Sequence, residues 1–303
     1  MLETWPELSY AAWKDTRETL HMWLQIVGKV KLELCPFLNQ WWETALHITP
    51  RGLTTGLIPL AAESFSVDFD FIAHLLIIKI SDGQTKELTL EPRTVADFYH
   101  LFMDALSSLC VEVKINTAPT EIQNGIKFEQ DTTHAAYDGA YVQRWWRVML
   151  ATTRVIEQFR TPFHGKSSPV HLFWGGFDLD HTRFNGKSAT PPGYGGRIME
   201  YGEDAENFAV GFWPGTEHSP YAAFYTYMSP APANIATAQI QPATARFDGK
   251  MGEFILSYDD VRQAPSPNEA LASFLQSTYE ASALLAGWDR QALEGHVPPL
   301  SKK

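Results

Sequence analysis

Lys79-Ile-Ser-Asp-Gly-Gln-Thr-Lys-Glu-Leu-Thr-Leu90 aligns without gaps on Ala245-Arg-Phe-Asp-Gly-Lys-Met-Gly-Glu-Phe-Ile-Leu256. Asp82-Gly83 and Asp248-Gly249 are dipeptides that supply the positive φ of a tight β-turn, so both stretches read as hairpins. Glu87 falls on Glu253, and Leu88 and Leu90 fall on Phe254 and Leu256. A helix follows each hairpin. Thr94-x-x-Asp97 opens one that carries Val95, Phe98, Phe102, Leu106 and Leu109. Ser266-Pro-Asn-Glu269 is a capping box with proline at the first helical position, opening a helix with Leu271, Phe274, Leu275 and Leu285.

Working outward, the same plan recurs upstream of both hairpins. Trp13, Leu20, Trp23, Leu24, Val27 and Leu34 share one helix face over residues 13–34, although Val30–Leu34 also alternates like a strand. Asp138 is placed to cap a second helix bearing Val142, Trp145, Trp146, Met149, Ile156 and Phe159. Both helices stop at Pro-Phe, Pro36-Phe37 and Pro162-Phe163, because proline cannot continue a helix. A Trp-containing strand comes next in each case, from Trp41-Trp42 to Leu46–Thr49 and from Val170 to Trp174. Polar turns follow at Thr49–Gly52 and Thr182–Gly186. The expected architecture is therefore α+β: antiparallel sheets flanked by helices, in two pseudo-duplicated halves. The halves are residues 1–128 and 129–303, the second carrying inserted loop and strands at about 187–243, including Phe208–Trp213 and Tyr221–Met228.

Composition supports a folded chain. Of 303 residues 45% are hydrophobic and 19% charged, and ten Trp, eleven Tyr and eighteen Phe supply ample core at ~150–250 Å² each. A net charge of −11 argues against a nucleic-acid or anionic-membrane partner, which needs a basic footprint. The most apolar run, Phe71–Ile80, contains His74 and reads as a core strand, since a spanning helix takes ~20 apolar residues. The N-terminus shows no signal-peptide pattern, and Cys35 and Cys110 are isolated, so a cytoplasmic protein with reduced thiols is expected. Oligomeric state is not legible.

Familiar catalytic motifs fail. Gly165-Lys166-Ser167 and Gly186-Lys187-Ser188 lack the upstream glycine of a phosphate loop, where Arg160 and His181 stand instead. There is no GxSxG, HExxH or strand-linked GxGxxG. The densest run of reactive side chains is His164–Arg183. Within it His171 is the expected base and Asp178 the carboxylate orienting it. Arg51, Lys166 and Arg183 are the expected anion holders, and Ser168, Trp174, Trp213 and Tyr225 further ligand contacts. The His and Asp spacing does not specify a metal geometry, and neither a metal nor another cofactor is expected.

Several longer strings resemble one family. They include Leu20-His-Met-Trp-Leu-Gln-Ile-Val-Gly-Lys29, Asn39-Gln-Trp-Trp42, Thr49-Pro-Arg-Gly-Leu-Thr-Thr55 and Asp68-Phe-Asp-Phe71. Gly165-Lys-Ser-Ser-Pro-Val-His-Leu-Phe-Trp-Gly-Gly-Phe-Asp178, Thr182-Arg-Phe184, Gly211-Phe-Trp-Pro-Gly215 and Phe274-Leu-Gln-Ser-Thr-Tyr279 join them. Together they are similar to a bacterial family catalogued as domain of unknown function 5996, over nearly the whole chain. The resemblance implies a cytoplasmic bacterial protein and no particular activity. Gln40 and His47 stand where the family is expected to have His and Tyr.

Two functions remain open at this level. One is an enzyme applying acid/base chemistry to a small, polar, anionic molecule in a cleft between the halves. The other is a non-catalytic protein that binds a small molecule or a protein through Trp174, Trp213 and Tyr225.

Overall fold

Helix α1 (Tyr10–Leu34) opens the fold in this computed structural model, which describes residues 3–295. It ends where expected: Cys35, ahead of Pro36, adopts φ −86° and ψ 142°, the extended conformation that a following proline imposes. Val30–Leu34 is therefore helix. The helix is buried along most of its length, and its buried residues include Arg17, His21, Gln25, Lys29 and Lys31. A helix enclosed on nearly every side must satisfy those polar groups internally.

The first sheet is antiparallel. Its strands are β1 (His47–Thr49), β2 (Gly52–Thr54), β3 (Ile58–Pro59), β4 (Ser64–Asp70), β5 (Leu75–Ile80) and β6 (Thr85–Thr89). They run in the order β1-β2-β4-β5-β6, with β3 also paired to β4. Phe65, Val67 and Phe69 alternate inward along β4, and Leu76, Ile78 and Ile80 along β5. Helix α2 (Val95–Ser108) follows, its N-terminus closed by the Thr94 hydroxyl accepting from the Asp97 amide. Trp23 of α1 stacks on Phe98 of α2 at 4.6 Å between ring centroids. Helix α3 (Gly139–Arg160) is capped by Asp138, which accepts from the amides of Ala140 and Tyr141.

The second sheet is also antiparallel, with β7 (His171–Phe173), β8 (Asp178–Ser188), β9 (Ala205–Trp213), β10 (Ala223–Ser229), β11 (Arg246–Asp248) and β12 (Glu253–Ser257). Its order is β11-β12-β10-β9-β8-β7. Helix α4 (Gly196–Gly202) precedes β9, and α5 (Tyr258–Arg262), α6 (Pro267–Leu285) and α7 (Arg290–Leu293) follow β12. The chain thus has α+β architecture: two antiparallel sheets with flanking helices.

Several details depart from the sequence reading. Trp41-Trp42 is not strand: Asn39–Trp41 forms a 3-10 turn in which Gln40 and Trp41 hold φ of 56° and 59°. Thr182–Gly186 is not a turn but the interior of β8, whereas Thr49–Gly52 is a turn, closed by the Thr49 hydroxyl accepting from the Arg51 and Gly52 amides. Ser266 caps α6 by position only, without a side-chain hydrogen bond. Strands β9 and β10, read as an insertion, occupy the middle of their sheet.

The two aligned hairpins also enter their sheets in opposite senses. In the first, the leading strand β5 is internal and β6 is the edge; in the second, β11 is the edge and the trailing strand β12 is internal. Positive φ falls on Gly83 in one turn and on Gly252, not Gly249, in the other. The sequence match is thus not matched by equivalent topology.

The chain divides into two compact units that interleave along the sequence. One comprises the chain up to Leu150 with His171–Leu179 and Pro214–Pro220; the other comprises Ala151–Val170, Asp180–Trp213 and the chain from Tyr221 onward. Among the described residues no helix is long and apolar enough to cross a membrane.

Candidate functional site

Within the first unit, one row of polar side chains on α1 meets two loops. His21, Gln25 and Lys29 are spaced by four, so they stack along a single face of the helix. The Gln25 amide grips the backbone of Thr120 from both sides, its Nε2 donating to the carbonyl at 3.0 Å and its Oε1 accepting from the amide at 2.7 Å. Lys29 Nζ donates to the Thr120 hydroxyl at 2.9 Å and lies 5.8 Å from the ring centroid of Trp174 and 6.0 Å from that of Phe128. Lys29 is 4% exposed, and no carboxylate lies within ion-pair distance of it among the described residues.

The other loop is the bend Trp174–Asp178. His21 Nε2 lies 2.9 Å from both the Trp174 and the Gly175 carbonyl oxygens, which accept from a proton on Nε2, and 3.0 Å from the Gln25 amide nitrogen. Burial, with Arg17 adding to it, lowers the His21 pKa to about 3, so the ring is neutral and acts as a fixed donor. Trp174 Nε1 donates to the Thr44 carbonyl at 3.0 Å, and its indole covers Gly28 so closely that a Cβ there would overlap it. Phe177 stacks on His21 at 4.9 Å and on Trp145 at 4.8 Å. The bend is held by buried, rigid partners.

What it presents is a pair of acids. Glu121 lies over Gly175, and the position a Gly176 Cβ would take is 2.6 Å from Asp178 Oδ1 and 3.7 Å from Glu121 Oε2. Glycine is required at 175 and 176 for that approach. Glu121 is exposed as a residue, yet its carboxyl end is folded down against protein. This desolvation, with the charge of Asp178 adding to it, raises its pKa to about 7. Glu121 and Phe177 both hold left-handed backbone, φ 59° and 60°, a strained state for such residues.

The residues expected from sequence fall in both units. His171 and Asp178 both belong to the first unit, His171 on β7 at 1% exposure with its ring edge-on to Phe173, and Asp178 half-buried at the start of β8. Arg51, in the same unit, is paired with Asp70 at 2.6 Å. In the second unit Lys166 Nζ lies 4.7 Å above the Phe184 ring. Ser168 donates to the Pro169 carbonyl and accepts from the Thr182 amide. Arg183 is 1% exposed among Phe159, Phe163 and Tyr279 and donates to the Phe159 carbonyl. Trp213 and Tyr225 come together on one sheet face with Tyr221, Tyr227, Ala223 and Ile255.

Glu121, Lys29, Gln25 and His21 escaped the sequence reading. Glu121 sits in an irregular stretch with no periodicity to interpret. The i, i+4, i+8 row on α1 is readable, since three polar residues interrupt the otherwise apolar stretch Leu20–Val30 at one angular position. No three His, Cys, Asp or Glu side chains cluster as a metal site among the described residues. A family model described only as a family of unknown function matches residues 5–295. No curated protein and no solved structure matches the chain.

Proposed function

The chain belongs to DUF5996, a family of unknown function, and from that premise we propose that it is a cytoplasmic enzyme that transfers protons to or from a small, polar, anionic molecule at the Gly175-Gly176 bend. The observation that carries this reading is the Glu121 carboxyl, whose pKa of about 7 beside Asp178 makes it able both to give and to accept a proton near neutral pH. Desolvation keeps the Glu121 proton on, and the charge of Asp178 adds to it. Glycines 175 and 176 leave room for the two carboxyl groups to lie against the bend. His171, at 1% exposure, is closed to a substrate, so the exchange falls to Glu121. Two free thiols support a reducing compartment.

The test is a depletion assay. Wild type is incubated with a pool of small carboxylates and phosphate esters followed by mass spectrometry, in parallel with Glu121→Gln. Consumption of one compound by wild type and not by Glu121→Gln supports the assignment. Equal consumption by both defeats it, as does a Glu121 carboxyl that titrates near 4.5 by carbon NMR.

A second reading has its own observation. Trp213, Tyr221 and Tyr227 pack around Tyr225 on one face of the second sheet, a stacking surface suited to a planar ligand. Under that reading Trp213→Ala abolishes ligand binding and Glu121→Gln leaves it intact.

A further inference from the structure

Arg17 occupies α1 one turn before His21 and is 7% exposed. Its guanidinium lies 5.2 Å from the centroid of the Phe177 ring, on the bend that carries Asp178 and meets Glu121. Among the described residues it has no hydrogen-bond acceptor and no ion pair, and its Nε is buried without a partner. That is costly: guanidinium groups cannot shed their charge at physiological pH, and buried ones are ordinarily met by carboxylates or carbonyls. Burial lowers the Arg17 pKa from its ordinary value.

Tyr10 lies seven residues earlier on the same helix face, and helical side chains lean toward the N-terminus, so Arg17 reaches back toward it. The two are close enough to influence each other electrostatically, and the buried Tyr10 hydroxyl also has no partner among the described residues. Trp13, between them on that face, adds a third buried donor without an acceptor, its Nε1. Three donors of one face thus lack acceptors. The carboxylates nearby are Glu18, which is engaged by Lys14 at 3.6 Å and faces His134 at 4.0 Å, and Glu217, which acts on Tyr10 and Lys14.

We infer that Arg17 and Tyr10 form a binding site for a small oxyanion, the carboxylate or phosphate group of a metabolite, with Phe177 as its floor. The inference goes beyond the acid/base reading and does not need Glu121 to act. A planar guanidinium offers an oxyanion two parallel donors, and the hydroxyl offers a third. The Phe177 ring, 5.2 Å from the guanidinium carbon, adds a cation–π contact to the fork.

The experiment is thermal denaturation of the full chain with increasing inorganic phosphate or acetate, against sodium chloride at matched ionic strength. Wild type is expected to be stabilised in a saturable way by one or both oxyanions and not by chloride. Arg17→Met, which keeps the stem over Phe177 and removes the fork, should require about tenfold more oxyanion for the same shift or lose the shift entirely. Tyr10→Phe should weaken the response by a smaller factor. Phosphate acting alone identifies a phosphate site, and acetate acting alone a carboxylate site. A response equal to that of chloride, or one unchanged in Arg17→Met, overturns the inference. Glu121→Gln should respond like wild type, so failure of the acid/base reading leaves this result readable. If Arg17→Met does not fold, Arg17→Lys serves in its place.

Discussion

Two guanidinium groups are buried against aromatic rings, one in each unit, and they are treated differently. Arg183 is met by several partners, although its Nε, like that of Arg17, is buried without a hydrogen bond. Rings of Phe159, Tyr279 and Phe163 stand 3.4, 4.3 and 4.8 Å from its central carbon, the Phe159 carbonyl accepts a hydrogen bond, and Tyr279 and Glu294 act on it as further partners. Arg17 has one ring and no acceptor among the described residues. A buried charge met by a carbonyl and several rings holds a fold together; one met by no acceptor is held for something else. The difference predicts opposite outcomes for the same kind of substitution. Arg183→Ala removes one member of a buried, partnered cluster and should cost about 3–5 kcal/mol in urea unfolding. Arg17→Met should cost less than about 1 kcal/mol, or stabilise, because no partner is stranded. Equal losses would break the comparison and make Arg17 a structural residue.

The glycines sharpen the same contrast between packing and presentation. Replacing a helical glycine with alanine ordinarily gains about 1 kcal/mol. Gly28→Ala should reverse that sign, because the added methyl overlaps the rigid, hydrogen-bonded Trp174 indole, and overpacking costs about 1–3 kcal/mol. At Gly175 the added methyl meets only the end of the Glu121 side chain, which is free to swing away. Gly175→Ala should therefore fold almost as well as wild type while its Glu121 titrates closer to an ordinary glutamate. Loss of stability in both variants would mean that Glu121 is clamped structurally.

The parts of the fold legible in the sequence are those governed by local rules. α1 stops at Pro36, Thr94 caps α2, and β4 alternates inward and outward. Sheet order is not local, and there the reading went astray: the two hairpins look alike over twelve residues, yet one offers its second strand as the edge and the other its first. Nor does a short window distinguish the Thr182–Gly186 polar run in β8 from a turn, because cross-strand pairing decides it. At the site, Asp178 and Trp174 were found from a dense run of functional side chains. Glu121 was not, because its character comes from a fold that brings it onto a glycine pair over fifty residues away in sequence.

The smallest expected effect lies in pH, and it separates Glu121 from His21. The His21 pKa is lowered to about 3 in the folded chain, so between there and its ordinary value of 6.5 the unfolded chain binds more protons. Its contribution is complete above pH 6.5 and is lost as pH falls toward 3. For Glu121 the sign is opposite. With a folded pKa of about 7 against a usual 4.5, the folded chain holds the extra proton, so this contribution is complete below pH 4.5 and lost as pH rises through 7. Glu121→Gln imitates the protonated form at every pH. Variant and wild type should therefore match near pH 4.5, and the variant should be the more stable by pH 8. The margin should be no more than about 1 kcal/mol, since Glu121 is an exposed residue and water screens much of the penalty. Asp178→Asn should shrink that margin by removing the neighbouring charge. Urea midpoints of the variants at both pH values measure it, and a difference that does not change with pH would mean that the carboxyl over Gly175 is an ordinary solvated acid.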